Sequence, residues 1–176
     1  MLKYIINFLK SLNSNSHPGE IAHAAAIGVL LGLMPKDNVL WYILFIFFAF
    51  VRINKAVYFL VILAMSSFAH MTDMLLDKIG YIVLTFEPTV PIYRFLLDIP
   101  FVAFTKFNNT VVMGSLVSGI ILYVPVYIVS RLLVKLWRST LAPMIASSKI
   151  WLALKKLPFV RKLFSVSEEI TGVLKR

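Results

Sequence analysis

One stretch of the chain places an imidazole and two carboxylates at helical spacing. His70, Asp73 and Asp77 follow one another at intervals of three and four residues, so a helix presents all three on one face. Imidazole and carboxylate groups are ligands for divalent cations, and a histidine beside a carboxylate can exchange protons. The polar face of a helix lying at a membrane surface contains the same residue types, and we favour that simpler interpretation.

A second ionisable pair lies at the start of the first apolar segment. Glu20 and His23 are three residues apart and share a helical face close to the helix N-terminus. Ionisable groups at membrane depth are functional by default, so this pair could serve a proton relay or a gate that repels anions. A carboxylate near a helix N-terminus also stabilises the helix, and we favour that structural role.

Two polar junctions separate the apolar segments that follow. If the first two segments form a hairpin that re-enters the membrane, Lys36 and Asp37 lie at mid-membrane, where a buried ion pair is the expected arrangement. Ordinary polar loops contain the same residue types. The residues of the two junctions that are candidates for transport are Lys36, Asp37 and Asn38, then Arg52, Asn54 and Lys55.

Catalytic and cofactor-binding signatures are missing from the sequence. It contains no H-E-x-x-H, P-loop, glycine-rich dinucleotide loop or G-x-S-x-G pattern. Cysteine is absent, which excludes disulfides and thiolate metal sites. We therefore expect no cofactor, no metal ion and no enzymatic activity.

The composition indicates an integral membrane protein. Hydrophobic residues make up 60% of the 176 residues and charged residues 15%, against roughly half and a quarter in soluble domains. A soluble domain of this size still exposes about a third of the surface of its unfolded chain, so it could not hide this apolar surplus. We predict an all-α membrane protein.

The elements that carry these residues are short. Helices of 13 to 17 residues cover about 20–26 Å, less than the roughly 30 Å of the hydrocarbon layer. Either the bilayer is thinned locally, or residues 18–51 form a re-entrant hairpin, so we predict about four short transmembrane or re-entrant helices. The predicted membrane domain, residues 1–138, comprises an N-terminal interfacial helix, helices over 18–34, 39–51 and 56–69, an interfacial segment over 70–107, and a full span over 110–130.

The first of these helices is rich in small residues. Gly28 and Gly32 are four residues apart, a spacing that lets a neighbouring helix approach closely. Pro35 follows the segment and favours its termination. We therefore predict a helix that packs against its neighbours.

Basic residues concentrate after the last predicted span. The net charge is +10, and ten of the 18 basic residues lie in residues 131–176. Such clusters mark the cytoplasmic side and attract anionic lipid, which makes lipid a better partner than nucleic acid. Residues 139–176 are predicted to form a basic amphipathic arm, both termini are predicted to be cytoplasmic, and 73–106 lie outside. The residues expected to contact lipid headgroups are Arg131, Lys135, Arg138, Lys155, Lys156, Arg161 and Lys162.

One run of residues resembles a known family. Pro18, Ala22, the sequence Ala-Ile-Gly at 26–28, Gly32 and Met-Pro at 34–35, followed by Arg-Ile-Asn at 52–54, resemble the bacterial membrane family DUF2062 over about residues 17–70. The resemblance implies a bacterial inner-membrane protein. It also implies that Pro35, Arg52 and Asn54 determine the fold, and it implies no particular activity.

The leading functional hypothesis is a non-enzymatic inner-membrane subunit that binds lipid or anchors a larger envelope or lipid-transport partner. Undersized helices, an aromatic outer segment and a basic tail motivate it. The alternative is a small-solute or ion transporter that uses the polar junctions, as carriers with discontinuous helices do. A lipid-headgroup enzyme using His70, Asp73 and Asp77 is the least favoured hypothesis.

Overall fold

All regular secondary structure that the computed structural model describes is helical, which confirms the all-α prediction for residues 17–141 and 143–144. The predicted N-terminal interfacial helix lies outside the described residues, as does the basic arm apart from residues 139–141 and 143–144. The helices are α1 (Pro18–Leu33), α2 (Val39–Phe50), α3 (Lys55–Leu84), α4 (Val90–Leu97) and α5 (Thr110–Leu136), with 3-10 turns at Glu87–Thr89 and Val102–Thr105 and a π-helical turn at Trp137–Leu141.

The first two helices form a hairpin. Pro18 occupies the first turn of α1, where its missing N–H is tolerated. Asn38 begins α2, because its side-chain oxygen accepts a hydrogen bond from the backbone N–H of Trp41 at 2.8 Å. The Trp41 indole N–H donates back to the Leu31 carbonyl at 2.9 Å and holds α2 against α1.

The third helix corrects the sequence-based prediction. Residues 56–69 and the first 15 residues of the segment assigned to the interface belong to one helix, α3, 30 residues long. The polar residues from His70 onwards suggested a boundary, but no proline or glycine interrupts the chain between Lys55 and Ile79. Nothing in that stretch breaks the backbone hydrogen-bond ladder, so the helix continues. At 1.5 Å per residue it is about 45 Å long.

Helix α1 is the centre of the bundle. Ten of its 16 residues are buried, and it packs along both α3 and α5. A side-chain carbon added at Gly28 would lie 2.8 Å from the Cβ of Val61, and one added at Gly32 would lie 2.4 Å from the Cβ of Met65. The absence of side chains at both glycines is therefore what lets α3 approach this closely.

Helices α3 and α5 run antiparallel and cross backbone to backbone. A Cβ added at Gly80 would lie 1.8 Å from the carbonyl oxygen of Thr110, and one added at Gly114 would lie 1.8 Å from that of Leu76. Helix α5 also meets α1, where Gly119 lies against Leu30. It extends to Leu136, six residues beyond the predicted span, with Pro125 inside it.

The connection between α3 and α5 returns to the hairpin. It runs through α4 and the 3-10 turn Val102–Thr105, which contacts α2. Phe101 and Lys106, on either side of this turn, adopt positive φ angles of 70° and 50°. These left-handed conformations are uncommon for residues other than glycine.

The outer surface of the helices is strongly apolar. Two helices, residues 55–84 and 110–140, are long and apolar enough to cross a membrane, and only 11% and 22% of their most apolar windows are buried. Large hydrophobic side chains exposed on α2, α3 and α5 include Ile43, Phe47, Phe50, Leu63, Met71, Ile121, Val124 and Leu132.

Candidate functional site

The ionisable residues of the bundle collect at its two ends. We call the end with Glu20, Arg52 and Arg131 the base end, and the end with Asp37 and Lys106 the turn end. The helix segments between them, 21–33, 39–50, 56–69 and 110–130, contain no Asp, Glu, Lys or Arg. The four segments that join the ends are therefore uncharged throughout, with His23 as their one imidazole.

A cleft of about 350 Å³ opens at the turn end. It lies between the α1–α2 turn, the middle of α3 and the residues that lead into α5, so it unites two polar clusters that are far apart in sequence. Its floor is apolar and includes Met34 and Val112, which are 0% and 1% exposed. The polar residues that line it are Lys36, Asp37, His70, Asp73, Lys106 and Asn109.

An ion pair closes one side of this cleft. Lys106 Nζ donates to Asp37 Oδ2 at 2.6 Å, and the two side chains are 47% and 70% exposed. The hydrogen bond from Lys106 is the main reason that the pKa of Asp37 lies below its ordinary value. The pair ties the hairpin turn to the residues that precede α5.

Lys36 differs from its neighbour. Burial lowers the pKa of its ammonium group below the ordinary value. Within residues 17–141 it makes no ion pair with Asp37, whose partner is Lys106, and none with Asp73, whose partner is His70. The cleft therefore contains a cation that is not neutralised by the carboxylates around it.

The predicted cluster of one histidine and two carboxylates is divided in the structure. His70 Nδ1 lies 3.0 Å from Asp73 Oδ2, and both residues line the cleft. Asp77 instead accepts a hydrogen bond from the Thr110 hydroxyl, which ties α3 to the start of α5. No group of three or more metal-ligating side chains occurs among the residues that the structure describes.

Asn38 has a structural role at the turn. It is 2% exposed, and its amide nitrogen donates to the Pro35 carbonyl at 2.6 Å while its oxygen caps α2. Both hydrogen-bonding groups of the side chain are used within the turn. Asn38 therefore holds the turn that contains Lys36 and Asp37, and Pro35 contributes the acceptor.

The base end joins the starts of α1 and α3. Arg52 Nε lies 3.4 Å from Glu20 Oε1, and the backbone N–H of Asn54 donates to the Glu20 carbonyl at 3.4 Å. The Asn54 side chain accepts from the N–H of Val57 and caps α3, while Lys55 donates to the Val51 carbonyl. Two separately predicted clusters, the Glu20 region and the second junction, thus form one contact.

His23 turns towards α5 rather than towards Glu20. Its Nδ1 lies 2.5 Å from the Tyr123 hydroxyl, and its ring lies 4.5 Å from that of Tyr127. Arg131 donates to the Tyr127 hydroxyl at 3.4 Å. The structure does not bring Glu20 and His23 together as a relay: the Glu20 side chain pairs with Arg52 in the junction before α3, whereas His23 bonds to Tyr123 on α5.

Similarity to known proteins covers most of the chain. Residues 2–141 match the bacterial family described as "Uncharacterized protein conserved in bacteria (DUF2062)". The protein belongs to the DUF2062 family. An uncharacterised protein of Treponema pallidum (strain Nichols) is 33% identical over 162 residues, which cover 92% of this chain and all of that relative. No solved structure matches.

The DUF2062 match is wider than the resemblance over residues 17–70 indicated, because it includes α5 and the start of the arm. The run that carried the resemblance now has a physical explanation. Arg52 and Asn54 join the base of α3 to α1, and Gly28 and Gly32 bring the same two helices together. These residues hold the DUF2062 hairpin against its partner helix.

Sequence reasoning missed three residues of these contacts. Lys106 and Asn109 line the cleft, and Tyr123 bonds to His23 from 100 positions away. No sequence pattern predicts the left-handed backbone conformation of Lys106. Asn109, in contrast, directly precedes an apolar run and could have been recognised as a helix N-cap. Of the predicted headgroup residues, Arg131, Lys135 and Arg138 are described, while Lys155, Lys156, Arg161 and Lys162 lie outside the described residues.

Proposed function

We propose that this protein is a non-enzymatic, multi-pass subunit of the bacterial cytoplasmic membrane that binds lipid in a locally thinned bilayer or anchors a larger envelope or lipid-transport partner. The separation of the two charged ends carries the proposal. Glu20 and Pro35 are 15 positions apart in the sequence, and so are Lys55 and His70. Each stretch rises about 22 Å, against roughly 30 Å for the hydrocarbon layer.

The apolar exterior supports a lipid environment. The core helix of a soluble protein is mostly buried, whereas only 11% of the most apolar window of α3 is buried. Helix α2 has a single buried residue, Trp41, and Phe50 at its end is 87% exposed. Exposed apolar area on this scale is unfavourable in water, and contact with the acyl chains of lipids would remove it from water.

Charge asymmetry supports an orientation with the base end in the cytoplasm. Basic residues are enriched in cytoplasmic segments of membrane proteins. Among the described residues, the base end holds five basic residues against one acidic residue, and the turn end with its returning connection holds four against five. The basic residues of the base end are Arg52, Lys55, Arg131, Lys135 and Arg138.

The length of the helices then supports complete crossings for the hairpin. The α1–α2 turn lies beside His70 and Lys106, where uncharged stretches of α3 and α5 also end. A hairpin that stopped at mid-membrane would place all these charges in hydrocarbon, which is costly. Four crossings through a thin bilayer avoid that cost, and the bilayer deforms instead.

Single-cysteine labelling tests this arrangement, and the chain has no cysteine that must first be removed. Cysteines at Lys36, Lys55 and Asp98 are exposed to an impermeant maleimide in intact cells and in inverted vesicles. We expect positions 36 and 98 to label from outside and 55 only in inverted vesicles. Labelling of position 36 from the cytoplasmic face would overturn the four crossings, and equal labelling of all three in the soluble fraction would overturn membrane insertion.

Purification tests the role as a lipid-binding subunit. Extracted in mild detergent, the full chain is expected to retain phospholipid, or a protein partner, through size-exclusion chromatography. Lipid is quantified by phosphate analysis and protein partners by mass spectrometry. A monomer free of both lipid and partner would overturn the proposal.

A small-solute or ion transporter is the second candidate, because polar groups lie within the uncharged part of the bundle. Ser115 is fully buried, and the buried Ser118 hydroxyl finds no hydrogen-bond partner among the described residues. With His23 and Tyr123 they lie between the two charged ends on α5 and α1. Proteoliposomes should then show substrate or proton flux that Asp37→Asn or Arg52→Ala abolishes; a lipid-binding subunit shows none.

A further inference from the structure

We infer that the cleft at the turn end binds a phosphoester that carries a primary ammonium group, the chemistry of a phosphoethanolamine headgroup. The inference rests on the proposed membrane location, and it adds a site and a ligand class. Its basis is the set of charges that the fold brings together from the α1–α2 turn, α3 and the residues before α5.

The cleft has the right size for such a group. Its volume of about 350 Å³ lies within the range of small-molecule sites, which begin near 300 Å³. A floor of buried apolar side chains and a rim of charged groups define it, and it is open at the level where the uncharged helix segments end. A phospholipid headgroup lies at that level in the proposed arrangement.

The charges of the cleft match a zwitterion better than an anion. Asp37 and Lys106 satisfy each other at 2.6 Å, which leaves the Lys36 ammonium and the Asp73 carboxylate as the groups available to a ligand. His70, the partner of Asp73, is 98% exposed and can turn away. A phosphate alone would bind Lys36 but would be repelled by Asp73, whereas a phosphate joined to an ammonium group satisfies both.

The lining also distinguishes primary from quaternary ammonium groups. Quaternary ammonium groups, as in choline, are bound in proteins by aromatic side chains. The cleft contains no Phe, Tyr or Trp among its lining residues, and it offers carboxylates, which accept hydrogen bonds from a primary ammonium group. The site should therefore prefer ethanolamine to choline.

Native mass spectrometry of the delipidated full chain tests this inference. The protein is titrated with phosphatidylethanolamine, phosphatidylcholine and phosphatidylglycerol of identical acyl chains. We expect ethanolamine lipid to bind about tenfold more tightly than the other two, as one charge-assisted hydrogen bond provides. Equal binding of the three lipids would overturn the headgroup site but would still agree with the proposed lipid binding. Binding of none of them would contradict the proposed lipid binding itself.

Two substitutions test which side chain binds the phosphate of the ligand and which binds its ammonium group. Lys36→Gln should weaken all three lipids, because all three contain phosphate, and Asp73→Asn should weaken the ethanolamine lipid alone, each by about tenfold. Lys78→Gln and Asp98→Asn, at exposed charges outside the cleft, serve as controls. A misfolded variant would lose all binding together, so loss of selectivity alone in Asp73→Asn separates recognition from folding. Variants that behave like their controls would overturn the inference.

A soluble competitor identifies the source of the ligand. Glycerophosphoethanolamine contains the headgroup without acyl chains and is added to the protein loaded with phosphatidylethanolamine. Displacement of the lipid at millimolar competitor shows that the cleft recognises phosphoethanolamine esters in general. Retention of the lipid assigns the site to the phospholipid, and displacement by inorganic phosphate alone would overturn the requirement for the ammonium group.

Discussion

The contact between Asp37 and Lys106 joins residues 69 positions apart at a single point of the turn end. Asp37 and its neighbour Lys36 were predicted as candidate residues from their place between two apolar segments. Lys106 was not, because its approach depends on the path of the α3–α5 connection and on a left-handed backbone conformation. Residue types indicate where a charge needs a partner, but a contact over such a distance in sequence emerges only from the packing.

The pKa of Asp37 gives this pair a defined pH dependence. A carboxyl group whose folded pKa lies below its ordinary value of 3.8 stabilises the fold above that value, and the contribution is lost as the pH falls through the folded pKa. Asp37→Asn should therefore lower the free energy of unfolding at pH 7 by about 0.2–1 kcal/mol, the range for exposed ion pairs. The difference from the wild-type protein should vanish in acid.

Thermal unfolding in detergent at pH 7 and below pH 3.8 measures this effect. Asp98→Asn removes an exposed carboxylate from the connection that contains Lys106 and is the matched control. A loss of stability in Asp37→Asn that is equally large in acid would contradict the ion pair as its cause.

At the scale of elements, the glycines of α3 and α5 decide how close the two helices come. The sequence drew attention to Gly28 and Gly32 because of their spacing, and in the structure both lie against α3. The tighter contact, between Gly80 and Gly114, had no such signal, because one glycine on each of two helices forms no motif. Its existence depends on the crossing point, which is a tertiary property.

Gly114→Ala should disrupt the crossing. The new methyl group would lie 1.8 Å from the Leu76 carbonyl oxygen, which belongs to the backbone and cannot rotate away. We expect a loss of stability of about 1–3 kcal/mol or more, the cost of forcing atoms into a packed interface. Gly19→Ala is the control, because its methyl group would meet only the Tyr127 hydroxyl at 3.5 Å, an ordinary contact.

Unfolding temperatures of the two variants test this explanation. A crossing set by backbone contact predicts a lower value for Gly114→Ala and little change for Gly19→Ala. If neither Gly114→Ala nor Gly19→Ala lowered the unfolding temperature, the distance between α3 and α5 at their crossing would have to be larger than the structure indicates.

The boundary at residue 70 shows where element prediction failed. Hydropathy changes sharply there, from the uncharged 56–69 to the polar residues that follow, and the prediction treated that change as the end of a helix. Composition along a helix can change wherever its surroundings change, without any effect on the backbone. Helix α3 passes the turn end of the bundle at this position. The change in hydropathy therefore marks where the helix leaves the uncharged part of the bundle, and the helix itself continues.

At the scale of the whole molecule, the distance between charged ends predicts a preferred bilayer. The uncharged stretches of α1 and α3, each about 22 Å long, are about 8 Å shorter than an average hydrocarbon layer, and mismatch costs fractions of a kcal/mol per Å. The protein should therefore have its highest unfolding temperature in lipids with short acyl chains.

Reconstitution into phosphatidylcholine nanodiscs with acyl chains of increasing length measures this preference. Stability should decline steadily as the chains lengthen. A maximum of the unfolding temperature in bilayers of ordinary thickness would contradict local thinning. It would indicate instead that the polar connection between α3 and α5 lies deeper in the membrane. The all-helical fold was predicted from the sequence, but this distance was not, because it required the turn end to be assembled from three separate parts of the chain.

The order of synthesis gives the pair at the turn end a further consequence. Asp37 is synthesised 69 residues before Lys106, so the first hairpin is complete before its partner is translated. Until α5 arrives, α1 also lacks the neighbour that covers Leu30 and His23. In the proposed membrane arrangement, the inner face of the nascent hairpin is then open to lipid or to an insertion factor. The final helix then closes the bundle and completes the ion pair in a single late step of biogenesis.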